Sequence, residues 1–597
     1  MNLRMTRCLF PVVCAAFVDA SAAPVAAPQE FHAWAQTPPM GWNSWDCFAT
    51  TVTETQTKEQ ADFMAKNLKA HGWQYIVVDI QWYEPGARSH AYRDDATLTM
   101  DEHGRLLPAP NRFPSSTEGR GFKPLADYVH ALGLKFGVHL MRGIPRQAVE
   151  KDLPILGTPY RAQDIADRAN ICPWNPDMYG VDMTKPGAQA YYDSVFALLA
   201  SWGVDYVKVD DISRPYLKHQ DEIEAVRRAI DRTGRPMVLS LSPGETVIEA
   251  ADHVTRHANL WRISDDFWDR WLALYDQFGR LAAWNPHRRP GAWPDADMLP
   301  LGTLVLGERT TRFTPDEQRT LMTLWSIARS PLMHGGDMTR TDPATLALLT
   351  NDAVIAVNQH SINNRPLFER DELIAWTADV PGSPDKYLAV FNARDRVRLR
   401  PDNARYASAP VTGDPTTSAT IEADLRGGSR LFLSARPLDA SGEWNRILWG
   451  NPRLVFADGS ERALTDLTWS YADATWDSTA VKKADDGTVL GVGAEVPAVI
   501  EYALTADAVK FTATASVLSN GRGQTPGPVQ FLVVVGTPEN TAPATGVPVP
   551  VSLGEFGFAK GARIHDLWTG RDLGAFEQEF APVIPFHGAG LYRVSPR

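Results

Sequence analysis

The chain has 597 residues, of which 44% are hydrophobic and 22% charged, and its formal net charge is −12. A chain of this length and composition is globular and able to bury a large core, with room for one barrel-sized domain and smaller companions. The acidic balance argues against a phosphate-backbone partner, so no nucleic-acid role is expected.

Residues 1–22 stand apart from the rest. Arg4 and Arg7 precede an apolar run from Cys8 to Val18, and Ala20, Ser21 and Ala22 are the small residues a signal peptidase needs. The expectation is an export signal and a periplasmic or secreted protein. The run is too short for a membrane span, and no later stretch approaches the roughly 18 to 20 consecutive apolar residues that spanning requires. Cys14 raises a lipid anchor as an alternative, which the bulky Val13 before it disfavours. Removing the signal leaves Cys47 and Cys172, which make either one disulfide or two buried thiols. Two cysteines without a matching histidine pattern do not make a zinc site.

From about residue 38 to 359, strand-like runs alternate with helical periods, which favours a parallel sheet wrapped by helices. The predicted strands are MGWNSW (40–45), YIVVDIQW (75–82), KFGVHL (135–140), YVKVDD (206–211), PMVLSLS (236–242), LWRISDD (260–266), a short one near AWPDADM (292–298), and SPLMHGG (330–336). Between them, Thr184 and Pro186 open a helix carrying Tyr191, Val195, Leu198 and Trp202, which Gly203 stops; Ile223, Val226 and Ile230 repeat the pattern before Gly234. A doubly wound open sheet would normally offer a phosphate-cradling glycine loop, and neither GxGxxG nor GxxxxGK occurs. Eight strands point to an α/β fold of the closed (β/α)8 type.

Beyond about residue 365 helical periods nearly vanish, and alternating segments such as KYLAVFNA (386–393), RLFLSARP (430–437), FLVVVGT (531–537) and GLYRVSP (590–596) take over. The tail is expected to be all-β and in two units, with Gly/Pro/Thr-rich linkers at 409–420 and 536–549.

YVKVDD poses the chemical question. Side chains alternate faces along a strand, so Lys208 and Asp210 share one face, Val207 and Val209 the other, and Asp211 takes the opposite parity to Asp210. In a barrel the valines meet the helices and the Lys-Asp pair faces the mouth at the carboxyl end of the strand, where enzymes of this fold build their sites. A neighbouring lysine favours the ionised carboxylate, which suits a nucleophile; the structural alternative is an ion pair at the barrel rim. LWRISDD repeats the arrangement, with Arg262, Ser264 and Asp266 on one face and Asp265 on the other. Two inward acids on strands four and six can flank one glycosidic bond, which retaining hydrolysis needs at a separation of roughly 5 to 5.5 Å. Trp45, Asp79, His139 and Asp297 lie at the ends of strands one, two, three and seven and reach the same mouth. An indole can pack on a sugar's C–H face while carboxylates and an arginine take its hydroxyls. Singly, Trp45 also reads as core, His139 as a hydrogen-bonded structural residue and Asp297 as a helix cap. Metal catalysis is not expected: there is no HExxH and no DxDxDG loop, and His253 and His257, spaced i,i+4, have no plausible third ligand nearby in the sequence.

These residues, MGWNSW (40–45), VVD (77–79), YVKVD (206–210), WRISDD (261–266) and PDADML (294–299), with LWSIARSPLMHGGDM (324–338) and NDAVIAVNQ (351–359), resemble glycoside hydrolase family 27, the family of many α-galactosidases. The resemblance implies a (β/α)8 barrel followed by an antiparallel β domain, and retaining α-glycoside hydrolysis of an oligo- or polysaccharide without metal or cofactor. It implies Asp210 as nucleophile, Asp266 as acid/base, and Trp45, Asp79, Lys208, Arg262 and Asp297 around the bound sugar. The chain departs from the family in three places. Ile80 stands where α-galactosidases usually carry a second acid, and Ser242-Pro243-Gly244 stands where they usually have Cys-Glu-Trp; both positions contact galactose hydroxyls, which puts Ser242 among the substrate-binding candidates. His139 and Arg142 replace a tyrosine-containing segment, which adds His139 to that set. α-Galactosidase activity is the leading expectation, and isomaltodextranase-like and β-L-arabinopyranosidase-like specificities stay open, as does a glycan-binding protein without turnover.

The tail resembles the family's C-terminal domain at KYLAVFNARD (386–395) and at residues 564–594, so the part between reads as an insertion. Within it, WNRILWGNPRLVFADG (444–459) is similar to a carbohydrate-binding β-sandwich of the NPCBM kind, with Trp444, Trp449, Trp469 and Trp476 as either stacking platforms or core. The expected division is a signal at 1–22, a barrel at 37–364, a C-terminal β domain from 365–396 and 549–597, and the inserted sandwich at 397–548.

Overall fold

The structure, a computed structural model, describes residues 30–541 and 546–597; the expected export signal at 1–22 lies outside the described residues. Eight strands are parallel neighbours in one sheet: β1 (Met40–Asn43), β2 (Tyr75–Val78), β3 (Lys135–Met141), β4 (Tyr206–Asp210), β5 (Val238–Leu241), β6 (Leu260–Arg262), β7 (Trp293–Asp295) and β8 (Leu332–His334). Their order is β7-β6-β5-β4-β3-β2-β1-β8. A parallel bridge between Leu299, just beyond β7, and His334 on β8 closes the ring, with the Leu299 N–H donating to the Met333 carbonyl at 2.7 Å. The fold is the expected (β/α)8 barrel.

Alternation along the strands sorts the core. Tyr75, Val77, Tyr206, Val238, Leu260, Trp293 and Met333 pack together inside the barrel. Their neighbours Ile76, Val78, Val207, Val209, Leu239 and Leu241 face outward into the larger helix-covered core. The helices around the sheet include α1 (Glu54–Asn67), α2 (Lys123–Ala131), α3 (Ala188–Trp202), α4 (Tyr216–Thr233), α5 (Ala251–His257), α6 (Trp271–Trp284) and α7 (Pro315–Ala328). α3 starts later than Thr184 and Pro186 suggest, because Gly187 precedes it with a left-handed φ of 96°. α3 and α4 do end at Gly203 and Gly234, which take the positive φ that closes each helix.

Past the barrel, strands from Ile362–Arg370 to Lys386–Asn392 share one six-stranded sheet with strands from Ala562–Asp566 to Gly588–Pro596. The chain leaves this sheet after Asn392 and returns to it at Ala562, and Ala389 pairs with Leu591 across the join. In between, two antiparallel sheets, drawn from strands between Tyr406 and Gly536, enclose a separate apolar core. Trp449 lies at the centre of that core and Trp469 packs against its edge, whereas Trp476 is 49% exposed. Cys47 and Cys172 are free, buried thiols. Among the described residues, no helix is long and apolar enough to cross a membrane.

The sandwich is joined to the barrel by charge. Asp473, 2% exposed, accepts from Arg270 Nη1 and from the Leu272 backbone N–H, both at 3.0 Å. Its carboxylate therefore occupies the first turn of α6, where free N–H groups and the helix dipole favour an anion. Arg312 and Asp477 pair at 2.6 Å beside it. Asp473→Ala strands Arg270 and the α6 start, so it is expected to cost about 3 kcal/mol. Calorimetry should show the Tm falling; an unchanged Tm would refute this role.

Candidate active site

The carboxyl ends of β1 to β7 converge on Lys208. Its Nζ lies 3.0 Å from Asp79 Oδ2 and 3.7 Å from Asp210 Oδ2. Burial works against the ammonium, yet the charges of Asp210, Asp79 and Asp266 outweigh it and hold the lysine protonated. Asp79 is fully buried; its Oδ2 accepts from Asn43 Nδ2 at 2.6 Å and its Oδ1 from the Ile80 N–H at 2.8 Å.

Asp210 is equally constrained. His139 Nε2 donates to its Oδ2 at 2.7 Å from a ring that is itself wholly buried. Burial alone raises a carboxyl pKa, but Lys208, His139 and Ser242 reverse the sign and hold Asp210 well below the usual carboxylate range. Its Oδ1 is buried and, among the described residues, has no hydrogen-bond partner. Asp211, the other acid of the pair, turns away with φ 60° and pairs with Arg142 Nη2 at 2.6 Å. Arg142 in turn reaches Glu222 at 2.8 Å, which makes Asp211 part of the scaffold between β4 and α4.

The second acid pair divides the same way, with one departure from the sequence expectation. β6 ends at Arg262, so strand parity does not extend to Ser264, whose Oγ instead accepts from Gln277 Nε2 on α6 at 2.9 Å. Asp266 returns to the mouth through a loop: its Oδ1 lies 3.3 Å from Arg262 Nη2, and the side chain is 34% exposed. Arg262 Nη2 also lies 2.7 Å from Asp297 Oδ2, and its Nη1 donates to Ser242 Oγ at 3.4 Å. Asp297 accepts the Phe267 N–H at 2.7 Å as well and so holds the loop that carries Asp266. Asp265 points outward to Arg214 at 2.7 Å and to Arg522, which comes from the sandwich and lies 3.8 Å over the Trp444 ring.

Trp45, Asp79, His139, Lys208, Asp210, Ser242, Arg262, Asp266 and Asp297 are thus gathered at one end of the barrel. The sequence reading missed an aromatic arc in the loops around them. Tyr92 stacks on Trp45 with centroids 6.3 Å apart and planes 8° apart, and Trp174 lies 5.5 Å beyond it. His90 links Trp45 at 5.6 Å to Trp268 at 6.2 Å, two residues past Asp266. The Tyr92 hydroxyl pKa is pushed up by burial and then by the charges of Asp210, Asp266 and Asp79, so this phenol borders the acidic centre. Residues 83–100 form few regular elements, and only their aromatic content could have signalled it.

Two buried acids lie underneath. Asp46 is pushed well up by burial and by Asp297 and Asp266, and its Oδ2 has no partner among the described residues. Asp295 is pushed up to about 7 by burial and then by Asp297. Because its folded value is raised, the folded protein binds more protons than the unfolded chain from about pH 4 to about pH 7, and stability falls across that window. The advantage of Asp295→Asn over the parent in Tm should therefore grow between pH 5 and pH 8, by at least about 2 °C. A Tm difference independent of pH would refute the assignment.

This arrangement of acids, cation and aromatic rings can bind a pyranose and cleave its glycosidic bond. A family model described as alpha galactosidase A matches residues 37–151 and 162–360. The α-galactosidase of Cyamopsis tetragonoloba is 30% identical over 61% of this chain and 74% of its own length. Alpha-galactosidase A of Cellvibrio japonicus is 30% identical over 58% and 73%. A solved structure of a GH27 β-L-arabinopyranosidase from Geobacillus stearothermophilus, in complex with arabinose, is 39% identical, with a TM-score of 0.68 over 96% of this chain and all of that one. With the family model spanning more than half of its residues, the chain belongs to the α-galactosidase family, glycoside hydrolase family 27, and is a glycoside hydrolase.

Proposed function

We propose that this enzyme is an exported, retaining glycosidase that releases terminal β-L-arabinopyranose from oligo- or polysaccharides. Ile80 carries the choice of sugar. It places a buried apolar side chain directly after Asp79, where an α-galactosidase usually has an acid that binds galactose hydroxyls. β-L-Arabinopyranose shares the ring configuration of α-D-galactose but lacks the hydroxymethyl group on C5. An apolar neighbour suits that bare edge and leaves a primary hydroxyl without a partner, a kind of mismatch that discriminates strongly in enclosed sites. The near full-length similarity to the Geobacillus β-L-arabinopyranosidase supports the same reading. α-Galactoside hydrolysis is the second reading, favoured by the α-galactosidase relatives and by the retained Trp45, Asp79, Lys208, Arg262 and Asp297.

In the proposed mechanism Asp210 Oδ1, which accepts no hydrogen bond among the described residues while Oδ2 is held by His139, attacks the anomeric carbon. Asp266, open to solvent on one side, gives its proton to the departing oxygen. The bond to the leaving group breaks as the bond to Asp210 forms, which yields a covalent glycosyl-enzyme. Asp266, now a carboxylate, takes a proton from water, and the water displaces Asp210. Lys208 and His139 keep Asp210 ionised before it attacks and stabilise its carboxylate again as the water displaces it, and Arg262 orients Asp266. Residues 397–548 are proposed as an inserted module in a C-terminal domain made of 365–396 and 549–597.

Asp210→Asn should lower kcat by about 10⁴-fold or more and abolish the covalent intermediate in mass spectrometry of the enzyme treated with a slow fluoro-glycoside. Asp266→Ala should spare nitrophenyl glycosides, whose leaving groups need no proton, at least about 100-fold relative to oligosaccharides; equal damage to both counts against its role. Across nitrophenyl β-L-arabinopyranoside, α-galactoside, α-glucoside and isomaltosyl substrates, the first should show the highest kcat/KM. Ile80→Asp should shift the preference toward α-galactoside by about tenfold or more. A wild-type preference for α-galactoside would reject the arabinopyranoside reading.

A further inference from the structure

His253 and His257 belong to none of the chemistry above. In sequence they form an i,i+4 pair with no third ligand close by, and the fold supplies one from 29 residues upstream. Glu224 on α4 faces α5 and brings its Oε1 to 3.4 Å from His253 Nε2. One ligand atom from each of Glu224, His253 and His257 lies within 4.8 Å of the other two. Ligand atoms around a tetrahedral Zn²⁺ sit about 3.3 Å apart, so small rotamer adjustments close the set on an ion.

The surroundings suit a metal more than a plain ion pair. Tyr216 Oη lies 2.8 Å from His253 Nδ1, and the His253 carbonyl lies 2.7 Å from His257 Nδ1. Both Nδ1 atoms are thereby engaged, which fixes each ring's orientation and leaves Nε2 as the ligating nitrogen, as outer-shell partners do in metal sites. The rings lie 4.2 Å apart at 32°, open on the same side of the helix. Glu224 supplies the negative charge; its Oε2 is held by Arg228 at 3.0 Å, which leaves Oε1 toward the histidines. Arg256 and Asp221 also bear on His253, with opposite signs. Glu224 is 37% exposed at its side chain, which gives an ion a way in.

We propose that Glu224, His253 and His257 form a divalent transition-metal site of the Zn²⁺ class that pins α5 to α4. A solvent water completes the fourth position. α4 follows the strand that carries Asp210, and α5 precedes the strand that leads to Asp266, so the ion staples the barrel arc between the two acids from outside. Its effect is on stability, because an ion that binds only the folded chain raises the unfolding free energy.

The test uses the full-length protein after EDTA treatment and dialysis, titrated with ZnCl₂ by calorimetry and by thermal unfolding. One Zn²⁺ should bind with micromolar or tighter Kd, and saturation should raise Tm by at least about 2 °C. His257→Ala should weaken binding at least about tenfold and remove the Tm rise. Glu224→Gln, a near-isosteric change at a half-buried position, should do the same, which covers the case in which His257→Ala folds poorly. Absence of stoichiometric binding, or binding that neither variant weakens, overturns the proposal. Both outcomes are independent of which glycoside the enzyme cleaves.

Discussion

The site rests on one ammonium group. Lys208 is nearly enclosed between β3 and β5, and a lone buried cation there would be unaffordable; Asp79 and Asp210 make it tolerable by meeting it at 3.0 and 3.7 Å. The exchange is reciprocal. Lys208 is the charge that keeps the buried Asp210 ionised, and Asp79 pairs with the same ammonium. Removing Lys208 leaves two buried carboxylates without their shared cation, so binding geometry and electrostatics cannot be varied separately.

The two acid pairs follow one division of labour. In Asp210-Asp211 and in Asp265-Asp266, one carboxylate enters the mouth and the other ties the strand end to its surroundings. Asp211 is tied to Arg142 and through it to Glu222 on α4. Asp265 is tied to Arg214 and to Arg522 of the sandwich. The outward acid is therefore what holds the inward acid in place, since adjacent residues share one backbone.

This has a consequence for the sandwich. It meets the barrel on both flanks of the Asp266 loop, at Asp265 through Arg522 and at the start of α6 through Asp473. Asp297 closes the loop from below by taking the Phe267 N–H and the Arg262 guanidinium. A module distant in sequence from the barrel thus braces the segment that carries the proton donor, whatever its own affinity for glycan.

The eight strands, the inward parity of Lys208 and Asp210, and the convergence of Trp45, Asp79, His139, Ser242, Arg262 and Asp297 were legible in the sequence, because strand alternation is local and a barrel places all its carboxyl ends on one rim. Parity failed at Ser264, since β6 ends two residues earlier and a loop obeys no period. The His90, Tyr92, Trp174 and Trp268 arc gave no periodic signal, because loops carry no repeating pattern. Glu224 could not be matched to His253 and His257, nor Asp473 to α6, because such partners are set by which helices and sheets pack together. The sequence by itself determined which residues can do chemistry and which way strands present them; the tertiary structure alone decided which distant charges meet, because burial makes a charge viable only where its partner arrives.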